Sequence, residues 1–166
     1  MKAKQEINEF DIIDSISSNK EADKLFELKD NAAFSNCLRQ ILDNLYRENP
    51  DHLNKDQMNL YLSMNLENSG QSCGILSCLQ EWFPEHLNKF VNALKDINAP
   101  KSANAIEKAI SLLPKNGSWF FKTSNEETEK LMTKYDREFS DYPDGCMPDL
   151  YRKYAELNKN EIIKWE

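Results

Sequence analysis

The sequence predicts an all-α fold: a single compact domain of about seven or eight helices, with an antiparallel helical hairpin around Asn98-Ala99-Pro100. Three observations predict it. Apolar residues recur at three- and four-residue spacing along most of the chain, the period of a helix face. Valine occurs once, at Val91, and glycine only four times, whereas strands and hairpin turns use β-branched residues and glycine. Prolines and short Asn/Gly breaks stand between the apolar stripes and mark where one helix stops and another starts.

In order, Ile12, Ile13 and Ile16 suggest one helical turn and Leu25, Phe26 and Leu28 a further apolar cluster, with a break at Ser15–Asn19. Residues 1–30 therefore read as an N-terminal extension packing on the body, and residues 31–166 as the helical domain. Phe34, Cys37, Leu38, Ile41, Leu42 and Leu45 give one stripe over Ala32–Arg47, stopped by Asn49-Pro50. A second helix starts near Lys55, faces Met58, Tyr61, Leu62 and Leu66 inward, and is expected to break at Asn68-Ser69-Gly70. A third apolar segment follows over Ser72–Phe83. Pro84 opens the next helix, with Leu87, Phe90, Val91 and Leu94 inward; a proline at the first helical position gives up no bond, because that N–H has no helical partner.

Lys101–Leu113 is the second arm of the hairpin, ended by Pro114. Trp119, Phe120 and Phe121 then either plug the end of the helical layer or form an exposed binding anchor. Ser124 with Glu127 matches a capping box opening a helix to about Phe139, and a last helix starts near Pro148. Ile162, Ile163 and Trp165 suggest that the tail docks.

Composition narrows the function classes. Hydrophobic residues are 40% and charged residues 30% of the chain, a globular balance. The net charge of −7 disfavours direct binding to nucleic acid or to an anionic membrane. The charge is uneven: residues 126–149 hold eight acids and three bases, while residues 51–125 hold seven of each. Cys37, Cys73, Cys78 and Cys146 form no CxxC pair and read as free core thiols of a reducing, cytoplasmic setting. The first ten residues lack an apolar signal core, and no run reaches the length of a membrane span.

No constellation for chemistry emerges. His52 and His86 are the only histidines, and neither has a second His at the spacing of a zinc-hydrolase helix. Gly70 and Gly74 do not make a phosphate-cradling loop between a strand and a helix. No catalytic residue, metal ligand or cofactor is expected, which leaves an enzyme as the third of three readings.

Order and spacing carry a resemblance over residues 56–157. Met58–Leu66 precedes a turn reading Asn68-Ser69-Gly70-Gln71; Leu87–Leu94 forms the next amphipathic helix. Asn98-Ala99-Pro100 leads into the Ala103, Ile106, Ala109, Ile110 stripe closed by Leu113-Pro114. Asp136–Phe139 and Leu150–Tyr154 complete the series. This pattern resembles a bacterial DNA-mimic-protein domain family, whose usual turn is of Asn-Gly-Gly-Phe type. Here Ser69 replaces one glycine and Gln71 the phenylalanine. The turn is then either altered in function or only structural, with Gly70 supplying backbone freedom.

The resemblance implies a non-enzymatic protein-binding domain, in which carboxylates on rigid helices stand in for phosphates before a DNA-binding regulator. The acids placed for this are Glu126, Glu127, Glu129, Asp136, Glu138, Asp141, Asp144 and Asp149, with Glu126, Glu129 and Asp136 sharing a helix face. Glu6, Glu9, Asp11 and Asp14 extend the set. Lys130, Lys134 and Arg137 interrupt it, and an ordinary solvated acidic face remains the plainer alternative. The rival function is an interaction or immunity-like adaptor module that binds a protein through an aromatic or apolar patch such as Trp119–Phe121. In either case the expected partner is another protein, and a homodimer stays open.

Overall fold

The most deeply placed helix, here α4 (Lys55–Ser72), owes its start to a reciprocal cap. The Asn54 side chain accepts from the Gln57 N–H at 3.0 Å, and the Gln57 side chain accepts from the Asn54 N–H at 3.0 Å. The computed structural model describes residues 9–19 and 21–165, and among these no strand occurs and most residues lie in helices. The predicted all-α class holds, and among the described residues seven α-helices run ten residues or longer, in line with the predicted seven or eight.

Residues Gln57 to Leu66 of α4 are all buried. A helix wrapped on every side shows no single apolar stripe, so the inward set read from spacing underestimates its burial. Around it stand α1 (Glu9–Asn19), α2 (Ala22–Glu27), α3 (Asn31–Glu48), α5 (Ile75–Ser77), α6 (Leu87–Asp96), α7 (Pro100–Ser111), α8 (Phe120–Thr123), α9 (Glu126–Ser140), α10 (Met147–Leu157) and α11 (Lys159–Ile162). The α5 turn runs directly into a π-helical turn, Cys78–Trp82, closed by the Phe83 N–H on the Cys78 carbonyl at 3.0 Å. Pro50–His52 and Pro84–His86 are single 3₁₀ turns.

The hairpin forms as predicted. α6 and α7 pack on each other, and Asn98 takes the left-handed conformation (φ 66°) in the connection. Asn is among the residues that tolerate this backbone best. Asp144 closes the start of α7, accepting from the Lys101 N–H at 3.1 Å and the Ser102 N–H at 2.7 Å. α7 in turn packs along α9.

Two peripheral pieces are tied down by polar bonds. Buried Gln57 donates to the carbonyls of Ile162 (3.0 Å) and Lys164 (2.6 Å), and Asn54 donates to that of Glu161 (2.8 Å). The tail therefore docks, with Ile162 fully buried. On the other side the Arg152 guanidinium donates to the carbonyls of Leu28 (2.7 Å) and Phe26 (2.8 Å) and lies 4.4 Å from the centre of the Phe34 ring. Ile13 and Ile16 of α1 are buried among the core residues that include Cys37 of α3.

Several local expectations are corrected. The break at Ser15–Asn19 does not occur, because the Ser17 hydroxyl donates to the Ile13 carbonyl at 2.8 Å inside α1. This back-bond is a common way for a mid-helix serine to satisfy itself. The break at Asn68-Ser69-Gly70 does not occur either: α4 runs through it to Ser72, and the chain turns at Gly74 with φ 91°. The α9 cap is not Ser124 with Glu127 but Asn125 with Thr128, whose side chains and N–H groups exchange two bonds at 2.9 Å. Finally, only Cys37 and Cys78 are core thiols; Cys73 and Cys146 are exposed.

Candidate protein-binding surface

Inside α4 the predicted turn residues divide into two pairs. Ser69 is fully buried and acts as a junction: its hydroxyl donates to the Gly74 carbonyl at 2.6 Å and accepts from the Cys78 N–H at 3.2 Å. Gly70 lies against α9. A Cβ there would stand 3.0 Å from the Ser140 hydroxyl and 3.3 Å from the Phe139 ring. The backbone of Gly70 is helical, so the glycine supplies close approach and not the backbone freedom expected of a turn. Asn68 and Gln71 are exposed. Gln71 donates to the Ser140 carbonyl at 2.9 Å, and Ser140 returns a bond to the Gly70 carbonyl at 3.3 Å.

The acidic segment also divides. Three of its carboxylates hold the fold. Asp136 accepts from the Ile75 N–H at 2.9 Å, Asp144 caps α7, and Asp149 accepts from the Asn31 amide at 2.8 Å. Glu129 accepts from the Ser124 hydroxyl at 2.6 Å. The face expected from Glu126, Glu129 and Asp136 is therefore split, with only Glu126 exposed. A different stripe faces outward. Glu127, Glu138 and Asp141 fall within about 60° of one another at 100° per residue, and Glu127 and Asp141 are exposed with no ion pair among the described residues.

Bases share that side. Lys130 pairs with Glu126 at 2.6 Å and Lys134 approaches Glu138 at 3.8 Å. Such exposed pairs are worth about 0–1 kcal/mol, so they exchange readily for another partner. Asp11 and Asp14 are exposed on α1; Glu6 and the side chain of Glu9 lie outside the described residues. The three acids in the first turn of α9 also favour the helix dipole, a role any solvated acidic helix start would fill.

The aromatic triplet has a mixed placement. Phe120 is buried and plugs the layer, whereas Phe121 is 56% exposed. Trp119 and Phe121 border a cavity of about 280 Å³ completed by Ile75, Leu76, Met132 and Cys73. Hydrogen bonds from Ser72, Ser69 and Ser77 lower the pKa of the Cys73 thiol below its ordinary value. Burial pushes the Cys37 thiol up to about 11, which leaves it inert.

Sequence reasoning missed the Ser69 junction and the backbone-capping roles of Asp136 and Asp144. These bonds cross gaps of five to sixty-one residues, and only the fold closes them. No group of three or more His, Cys, Asp or Glu side chains suited to a metal occurs among the described residues. No described helix is long and apolar enough to cross a membrane.

The molecule is thus an all-helical domain that combines a close α4–α9 crossing with outward carboxylates on α9. More narrowly, residues 51–160 match the family model described as DMP19-like protein, and the chain belongs to that family. The match spans the helices from α4 through α10 and takes in the residues that carry the resemblance. No curated protein and no solved structure matches the chain.

Proposed function

We propose that this chain is a DNA-mimic-type protein-binding domain, which presents carboxylates to a basic, DNA-binding regulator in the cytoplasm and acts without catalysis. The observation that carries the reading is the outward stripe of α9: Glu127, Glu138 and Asp141 on one side, with Glu126 beside them. From Glu127 to Asp141 the helix rises about 21 Å at 1.5 Å per residue, the length of on the order of six phosphate steps at 3.4 Å each. Membership of the DMP19-like family supports the same reading through the resemblance described above.

Rigid carboxylates held on a helix steer a basic partner from a distance and favour fast association. The lysine pairs at Glu126 and Glu138 are weak enough to yield to a guanidinium-rich surface. The test is competition. A regulator bound to the immobilised chain should be released by duplex DNA and should fail to bind when Glu127, Glu138 and Asp141 are all changed to lysine. A partner that survives excess duplex and ignores the triple change contradicts the proposal.

One observation favours a second reading, an adaptor that binds through apolar contact: Phe121 is exposed beside the cavity under Trp119. Binding lost in Phe121→Ala and retained in the charge-reversed chain would select it.

A further inference from the structure

A second cavity lies where α3, α4 and α10 meet, with about 180 Å³ of free volume. At roughly 30 Å³ per water it has room for on the order of six waters, and it is smaller than the roughly 300–1,000 Å³ typical of drug-sized sites. Its polar lining includes Ser35, Asn36 and Arg39 from α3 with Glu67, Asn68 and Gln71 from α4. Asn68 and Gln71 are the exposed half of the predicted turn, so the motif that helps hold α9 also supplies one wall of this cavity.

Three facts mark it as built for an occupant. Ser35 is 7% exposed, and its hydroxyl has no hydrogen-bond partner among the described residues. Leaving such a group unsatisfied costs about 1–3 kcal/mol, so a ligand that bonds it gains. Second, Arg39 makes no ion pair or hydrogen bond among the described residues, although the Glu67 carboxylate lines the same cavity. Third, Glu67 has no cation within 4.0 Å among the described residues and is held instead by the Tyr142 hydroxyl at 2.9 Å. The cavity therefore holds one positive and one negative group that act on each other through space without forming a direct ion pair.

We propose that this cavity binds a small zwitterion, a free α-amino acid, with its carboxylate on the Arg39 guanidinium and its ammonium on the Glu67 carboxylate. A guanidinium meets a carboxylate through two parallel bonds. The Ser35 hydroxyl and the Asn36 and Asn68 amides complete the polar shell, and Met64 with Pro148 leaves only a small side chain room. A simple anion satisfies Arg39 but is repelled by Glu67; a simple cation meets the reverse. The site is independent of the carboxylate stripe on α9, so the two readings stand or fall separately.

The test is a titration of the full chain followed by NMR, reading the amides of Ser35, Asn36, Arg39, Asn68 and Gln71. The probes are glycine, L-alanine and L-serine, with acetate as anion alone and glycinamide as cation alone. At least one amino acid should shift these amides saturably, and acetate and glycinamide should bind at least about tenfold more weakly, a gap of about 1.4 kcal/mol. Arg39→Gln should abolish the shifts while leaving the rest of the spectrum in place. Asn36→Ala, at an exposed position, gives a second variant should Arg39→Gln fail to fold, and should weaken binding. Acetate binding as tightly as glycine, or no saturable shift with any amino acid, overturns the proposal.

Discussion

The end of α4 and the outer side of α9 are neighbours across the Gly70–Phe139 crossing, yet they are built on opposite principles. In α4, Ser69 and Gly70 are fixed by what touches them: a hydroxyl shared between two backbone groups and a missing side chain that lets a ring approach. On α9 and at its C-cap, Glu127 and Asp141 make no ion pair among the described residues and stand exposed. Packing fixes the first pair of residues, and charge alone sets the second. A position that serves packing tolerates few residues; a position that serves long-range attraction needs only a charge of the right sign.

Mutations sharpen that contrast in a graded series. The largest effect is expected from Phe139→Ala, which empties the buried side of the crossing. Its cost is about 3–5 kcal/mol, read as a lower midpoint in chemical denaturation. Gly74→Ala comes next, because φ 91° with ψ 152° is a region that essentially only glycine occupies. About 1–3 kcal/mol should be lost, again by denaturation, with no change in net charge. Asp144→Ala removes the cap of α7 and should cost about 1 kcal/mol, with faster amide exchange at Lys101 and Ser102.

Glu67 gives a pH-dependent case. Burial raises its pKa, opposed by the hydrogen bond from Tyr142 and by the charge of Arg39. A carboxyl whose folded pKa is raised contributes stability below its unfolded pKa and loses it as pH rises through the folded value. Glu67→Gln should therefore gain on the parent chain as pH rises from about 4 toward 7. A gap between the two melting curves that stays constant with pH would count against this. Smallest of all in stability is the paired change Glu127→Gln and Asp141→Asn, expected within about 0.5 kcal/mol, although partner binding should weaken clearly.

The fold was largely legible because its punctuation is chemical. Pro50, Pro84, Pro100 and Pro148 each stand at the first or second position of a helical turn, where a missing N–H costs nothing. What was not legible depends on neighbours far away in the chain. A glycine inside α4 reads as a break until Phe139 is seen against it. Asp136 and Asp144 read as surface acids until their backbone donors are in place. Helical spacing joined Glu129 and Asp136 to Glu126, but it could not say that those two carboxylates are already bonded within the fold. The outward stripe is the remainder left after these internal bonds are made.

The claim that this remainder is a phosphate mimic is tested most directly by a salt series. The chain and its Glu127→Lys, Glu138→Lys, Asp141→Lys form would each be immobilised, and retention of host DNA-binding proteins measured between about 50 and 200 mM salt, the range over which phosphate-type contacts lose most affinity. A DNA-binding partner held by the parent chain at the low end, released toward the high end and never held by the charge-reversed form is the expected result. A partner held equally by both forms across the whole range would contradict the account.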